Sequence, residues 1–302
     1  MISNPSRSSP WPVYQWPQGK RSAFCFTVDV DAESPLLWSL REQSSHRLVA
    51  QHEQRSFGPR VGIWRMLDLL ARFGIKGTFF VPGVVAEKHP ELLPAFVERG
   101  HEVGLHGYFH EIVSHVSDQE FSAALDASID IFRRQVGVLP AGFRSPAWEM
   151  TAHMMAQLKS RGMYDSSLSG FDNPYTIADV VEVPVQWALD DAVFFKFLGG
   201  GVDNWAPSPP RQVLEGWIDE WETLHEDAGL FMLTVHDWIS GRGHRIRLLE
   251  KLLEHVCADS TAWVTTVGEV ALHHTLSVNK DRFTVALQTP ELIGARRFAR
   301  EV

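Results

Sequence analysis

Cysteine is scarce in this chain of 302 residues: Cys25 and Cys257 are the only two, too few for a disulfide framework. Cys25 lies within the apolar run Ala-Phe-Cys-Phe, where a small buried hydrophobe fits, and a reducing compartment is expected. Positive charge is also short. Lys and Arg number 28 against 37 Asp and Glu, a formal net charge of −9, so no broad basic face is expected and nucleic acid is excluded as a partner. Nowhere do about eighteen apolar residues run together, and the first twenty residues lack the apolar core of a secretory signal. The expectation is a cytoplasmic protein that does not enter a membrane. Internal repeats and domain linkers are missing too, as is a glycine-rich phosphate loop after the first apolar strand.

What is present is a globular composition, 44% hydrophobic and 22% charged. A chain of this length buries roughly three quarters of its unfolded surface, enough to enclose a catalytic cavity. Residues 1–20, with Pro5, Pro10, Pro12 and Pro17 among Trp11, Tyr14 and Trp16, read as an extended arm packed on a surface. Residues 21–275 read as one catalytic domain and 276–302 as a C-terminal extension. Strands are expected near 23–29, 75–81, 101–106, 142–145, 163–168, 180–185 and 229–236, with a weaker one from Ala262. Helical periodicity falls between them at 61–73, 90–99, 118–135, 152–161, 210–226 and 245–257. Gly74, Gly100 and Gly162 stand just past helix ends, and Ser117 with Glu120 forms a capping-box pattern. Seven or eight such units suffice to close a parallel α/β barrel. Two long segments, 32–60 and 186–209, read as insertions of the kind that form lids or subunit contacts.

The unusual polar residues fall at the C-terminal ends of these strands, where α/β barrels place their active sites. Asp29 and Asp31 end the first strand and alternation puts them on one side, a costly pairing unless a cation lies beside them. By itself this pair could equally be a solvated, helix-capping loop. His106 and His110 follow the third strand at a spacing that lets two imidazoles share a metal, although with fourteen histidines some close pairs, such as His273-His274, arise by chance. Two histidines and one carboxylate leave coordination positions open on a zinc-like ion, the pattern of a catalytic site. Arg144, stiffened by Pro146, can hold a carboxylate base or make a surface ion pair. His236 ends the run Leu-Phe-Met-Leu-Thr-Val-His and can protonate a leaving amine or rest in the core on a carbonyl.

Taken in order, Asp-Val-Asp, His-x-x-x-His, Arg-Ser-Pro-Ala-Trp and Leu-Thr-Val-His resemble the NodB-like polysaccharide deacetylase family, carbohydrate esterase family 4. The stretches Phe-Thr-Val-Asp-Val-Asp-Ala-Glu-Ser, Arg-Ser-Phe-Gly-Pro-Arg, Gly-Tyr-Phe-His-Glu and Tyr-Asp-Ser-Ser-Leu are similar to its cytosolic branch of peptidoglycan-deacetylase-like proteins, allantoinase-like proteins and cyclic imidases. The resemblance implies a distorted (β/α)7 barrel, a divalent metal with zinc as the expected ion, hydrolysis of a non-peptide carbon–nitrogen bond, and a homo-oligomer, dimer or tetramer. It implies Asp31, His106 and His110 as metal ligands and Asp29 as base held by Arg144, or the reverse roles for the two aspartates because Val30 separates them, with His236 as acid and the backbone at Ala147 or Trp148 as oxyanion donor. Glu33 and Asp165 are accessory candidates. The expected substrate is an acetylated amino sugar, free or in an oligosaccharide, or a related small amide. Ring opening of a cyclic ureide or imide is the alternative, and an inactive metal- or ligand-binding module a third reading. The aromatic residues of 186–209 suit a sugar-stacking wall, a tight pocket or simple packing.

Overall fold

Ten strands share one sheet in the computed structural model, which describes residues 9–41 and 46–288. They are β1 Ser22–Asp29, β2 Thr78–Val81, β3 Glu102–Leu105, β4 Gly142–Phe143, β5 Tyr164–Asp165, β6 Tyr175–Ile177, β7 Val180–Glu182, β8 Leu230–His236, β9 Ala262–Thr265 and β10 Thr284–Val285. In the order β7-β5-β4-β3-β2-β1-β8 seven strands run parallel. A single parallel bridge from Asp190, beyond β7, to Thr234 of β8 joins the two ends. The result is a seven-stranded barrel whose last seam is a bridge rather than a ladder. β9 pairs Ser22–Cys25 of β1 while β2 pairs Thr27–Asp29, so the two divide one edge of β1. Outside the barrel, β6 runs antiparallel to β7 and carries β10.

β1 and β8 are buried along their whole length because both sit between neighbouring strands and a helical layer. Helix Ile63–Phe73 shows the packing rule: Ile63, Met66, Leu67, Leu69 and Leu70 form its buried stripe, and Gly74 ends it in the left-handed conformation. Ser117 and Glu120 close the expected capping box on helix Asp118–Val136, and helices Ala152–Arg161 and Pro210–Glu226 keep the expected bounds.

Segment 32–60 departs from the expected long insertion. Its described residues form helices Ser34–Leu40 and Leu48–Phe57 and a π-helical turn, Gly58–Gly62, leading into the next helix. The turn needs its glycines: a Cβ on Gly58 would collide with the Asp237 carboxylate and one on Gly62 with the Asp237 carbonyl. Short helices Gly83–Lys88 and Asp191–Phe195, helix Val267–Leu276, and strands β6 and β10 also go beyond the sequence reading.

The arm expected over 1–20 is described from residue 9. Tyr14 and Trp16 are buried, the Tyr14 hydroxyl lies 3.1 Å from His274 Nδ1, and Trp16 Nε1 donates to the Ala228 carbonyl at 2.9 Å. Residues 1–8 of the arm and 289–302 of the C-terminal extension lie outside the described residues. Both cysteines are free, Cys25 buried and Cys257 exposed. No helix among the described residues is long and apolar enough to cross a membrane.

Candidate active site

The C-terminal ends of β1, β3 and β8 converge on a cavity of about 180 Å³ lined by Asp29, Asp31, His106, His110 and His236, with Trp148 and Trp187 among its walls. Strand alternation places Asp29 and Asp31 on one side, and register does the rest, since Asp29 pairs with His236 across the β1–β8 ladder. His106 follows β3 directly. His110 closes a tight loop rather than a helical turn: Gly107 and His110 both take positive φ, 69° and 60°, and the Glu111 carboxylate accepts the Tyr108 N–H.

The two aspartates have different neighbours. Asp31 Oδ1 lies 3.6 Å from His106 Nε2 and 3.5 Å from His110 Nε2, is buried, and has no hydrogen-bond partner. His106 Nδ1 lies 2.8 Å from the Arg144 carbonyl, which fixes that nitrogen as the donor and turns the Nε2 lone pair toward Asp31. These two separations from one carboxylate oxygen, with all three ligand atoms within 4.8 Å of one another, are near what a tetrahedral ion with bonds of roughly 2.0–2.2 Å imposes. The donor set therefore fits a divalent ion. A second cluster of possible ligands, Asp190, Asp191 and His236, is internally paired: His236 Nδ1 lies 2.6 Å from Asp191 Oδ1, and Asp190 Oδ1 accepts the Ala192 N–H at 2.7 Å. The first cluster has the unmet valence.

Asp29 is held from below by Arg144, a fully buried guanidinium whose NH1 donates to Asp29 Oδ1 at 2.8 Å. The same guanidinium donates to Thr27 Oγ1, the Ser166 carbonyl and Ser166 Oγ, and it lies 4.2 Å above the Phe80 ring. Such a clamp fixes one carboxylate oxygen and leaves the other, Oδ2, 3.9 Å from His106 Nε2 at the cavity.

His236 takes its orientation from Asp191, which also accepts the His236 backbone N–H at 3.0 Å. That leaves His236 Nε2 toward the cavity, 3.9 Å from Asp31 Oδ2. Burial opposes the imidazolium, yet Asp191, Asp190 and Asp31 together raise its pKa well above the ordinary histidine value. Burial likewise pushes Asp31 up, and His110, His106 and His236 outweigh it, holding the carboxyl well below its usual range. His110, buried beside other cations, falls to about 4. Asp191 was missed in the sequence because it sits in the aromatic insertion, 45 residues from its histidine.

Three accessory expectations are corrected. Glu33 is turned to another partner: its carboxylate lies 3.0–3.1 Å from His89 Nε2 and 3.8 Å from Lys88 Nζ. Asp165 is sealed in the barrel wall beside Glu182 and does not line the cavity. The Trp148 N–H, one of the two expected oxyanion donors, is spent on the Ser145 carbonyl at 3.0 Å, and the Trp148 ring lies against Trp187 with centroids 4.1 Å apart and planes tilted by 30°. Asp237, which follows His236, accepts the Ala32 N–H at Oδ1, 3.3 Å away.

A parallel barrel with this cluster at its mouth has the form of a metal-dependent hydrolase. Residues 57–165 match the family model described as polysaccharide deacetylase. A solved Mycobacterium smegmatis structure assigned to the polysaccharide deacetylases is 34% identical, with a TM-score of 0.84 over 93% of this chain and 98% of that one. The peptidoglycan deacetylase of Helicobacter pylori is 27% identical over 278 residues, 82% of this chain and 94% of its own length. The chain belongs to the polysaccharide deacetylase family. An allantoinase structure, 21% identical with a TM-score of 0.76 over 91% of this chain and 95% of its own, shares the fold.

Proposed function

We propose that this protein is a metal-dependent hydrolase of small non-peptide amides, with removal of an acetyl group from an acetylated amino sugar or a related small amide as its leading reaction. The observation that carries the proposal is the unpartnered Asp31 Oδ1 between two imidazole Nε2 atoms at 3.5 and 3.6 Å. Asp31, His106 and His110 would hold the ion, and zinc suits two histidines and one carboxylate. When bound, it supplies Lewis acidity to the scissile carbonyl and lowers the pKa of attacking water.

The chain's own residues carry the protons. Asp29 Oδ2, left open by the Arg144 clamp, accepts the proton of the attacking water. Ala147 at the cavity wall offers a backbone N–H to the developing oxyanion. His236, charged by its Asp191 contact, donates from Nε2 to the leaving nitrogen, which departs poorly as an anion. Asp191 acts through His236 as a positioning residue. Trp148 and Trp187 wall the cavity, their ring centroids 4.1 Å apart.

Ring opening of a cyclic amide is the second reading, favoured by the cavity's 180 Å³, small for an oligosaccharide. Incubating zinc-loaded protein with N-acetylated amino sugars and with cyclic ureides and imides, followed by mass spectrometry, tests both. Acetate loss supports deacetylation and addition of water without fragmentation supports ring opening. Absence of turnover on the whole panel, with metal bound, would leave an inactive binding module.

A further inference from the structure

The protein brings to this cavity one cation for which the reaction above has no use. Arg55, from helix Leu48–Phe57, is only 7% exposed and lines the cavity wall. Its guanidinium carbon lies over the Trp238 ring, 4.1 Å from the centroid. NH1 stands 3.5 Å from Asp31 Oδ2, close enough for an ion pair, yet it has no hydrogen-bond partner. A buried guanidinium N–H without an acceptor is costly, and the cavity is the direction from which an acceptor can come. Arg144 contrasts with it, since its donors are spent on Asp29, Thr27 and Ser166.

The charges around Arg55 favour an anion. Asp29 is matched by Arg144, Asp31 faces the Nε2 atoms of His106 and His110 as well as Arg55, and Asp237, the other carboxylate acting on Arg55, is pushed up to about 7 by burial and by Asp31. Asp190 is pushed up to about 7 by burial and by Asp191, against the pull of His236. Lys196 adds a second cation at the exposed rim. A planar, weakly hydrated guanidinium fixed on an aromatic face recognises a carboxylate better than a neutral carbonyl.

We propose that Arg55 is a specificity-determining residue that receives a carboxylate on the substrate, so that the protein acts on small N-acylated acids in preference to neutral amides. The assignment rests on the hydrolase reading of the same cavity. Calorimetric titration of the zinc-loaded full chain with N-acetyl-β-alanine and with its primary amide tests it by binding alone. The acid should bind about tenfold more tightly than the amide. In Arg55→Gln the two should bind alike at unchanged zinc stoichiometry, and Arg55→Lys, which keeps the charge without the planar fork, should retain part of the preference. Equal affinities in the wild type, binding of neither ligand, or a preference undiminished in Arg55→Gln overturns the proposal. Acetate release in the same mixtures reads the hydrolase separately: a preference without release leaves the anion site and removes the reaction, while release from both at equal affinity does the reverse.

Discussion

Two sets of buried carboxylates in this barrel have their pKa values moved in opposite directions. In the wall between β5 and β7, Asp165 and Glu182 occupy paired positions and neither has exposed surface. Glu182 Oε1 accepts the Ser167 and Leu168 N–H groups, and Asp165 Oδ1 accepts the Ser167 hydroxyl. Burial pushes both acids up, most strongly Glu182, whose charge Asp165 also opposes. Asp165 Oδ2 and Glu182 Oε2 have no hydrogen-bond partner, and a proton shared between them would supply one to each. At the mouth, Asp31 is almost as deeply buried and burial again pushes it up, yet His110, His106 and His236 hold its carboxyl well below the usual range. Burial sets the cost of charge in both places. The neighbours decide whether the charge persists, and only at the mouth is there an oxygen that a cation can complete.

Changes at Asp31 should therefore have the largest effect. Asp31→Asn is expected to lower metal affinity by more than the roughly 10–100-fold that follows loss of a ligand's hydrogen-bond partner, with turnover falling alongside. Metal content after dialysis, measured beside a thermal melt, checks that the fold survives. Next comes the residue that orients His236: Asp191→Asn should reduce kcat by about 10–100-fold while bound metal stays at the wild-type level. Steady-state kinetics with metal analysis would refute the positioning role if kcat were unchanged.

The wall pair should respond in stability rather than in chemistry. Glu182→Ala is expected to cost about 3 kcal/mol in denaturant unfolding, because it strands Asp165 and two backbone N–H groups. Glu182→Gln separates the two halves of the comparison through pH. The raised pKa means that the folded protein holds more protons than the unfolded chain above the ordinary value of 4.5, so the wild type loses stability as pH rises through the folded pKa. Glu182→Gln has no such proton to lose, and its melting temperature relative to wild type should climb with pH; a constant difference would rule out the shared proton.

The smallest effect belongs to a buried base. Burial, with His273 and Lys280 nearby, lowers His274 to about 4, and its ring nitrogens lie 3.1 Å from the Tyr14 hydroxyl and from Thr176 Oγ1. Here the unfolded chain binds the extra proton, so stability falls as pH drops from 6.5 toward 4. In His274→Gln that acid loss should shrink modestly, as melts across this range would show.

Much of the barrel was legible because its strands are long apolar runs between clear helix signals. Helices 152–161 and 210–226 were read to the residue, and Thr151 and Gly162 mark the bounds of the first. The helices hidden in 32–60 were not, because they are short and their buried positions, Ser34, Leu36, Arg55 and Ser56, form no regular apolar stripe. β6 and β10, at three and two residues, carry too few side chains to show alternation. In the site, Asp29, His106, Arg144 and His236 stood out by their place at strand ends. Asp191 and Arg55 did not, since neither ends a strand and each meets its partner only across a long sequence separation. His273-His274, read as a chance pair, serves packing: His274 binds the N-terminal arm and β6.

By itself the sequence determined the alternating strand–helix order, the parallel barrel and the set of polar residues at its mouth, because side-chain alternation and helical periodicity are local properties of the chain. Only the tertiary structure decided that Asp31 rather than Asp29 meets the two imidazoles, that Glu33 turns to His89, and that Arg55 keeps an unused N–H beside the cavity. Those outcomes depend on ångström-scale distances between side chains that loops and barrel closure bring together, and no local pattern encodes such distances.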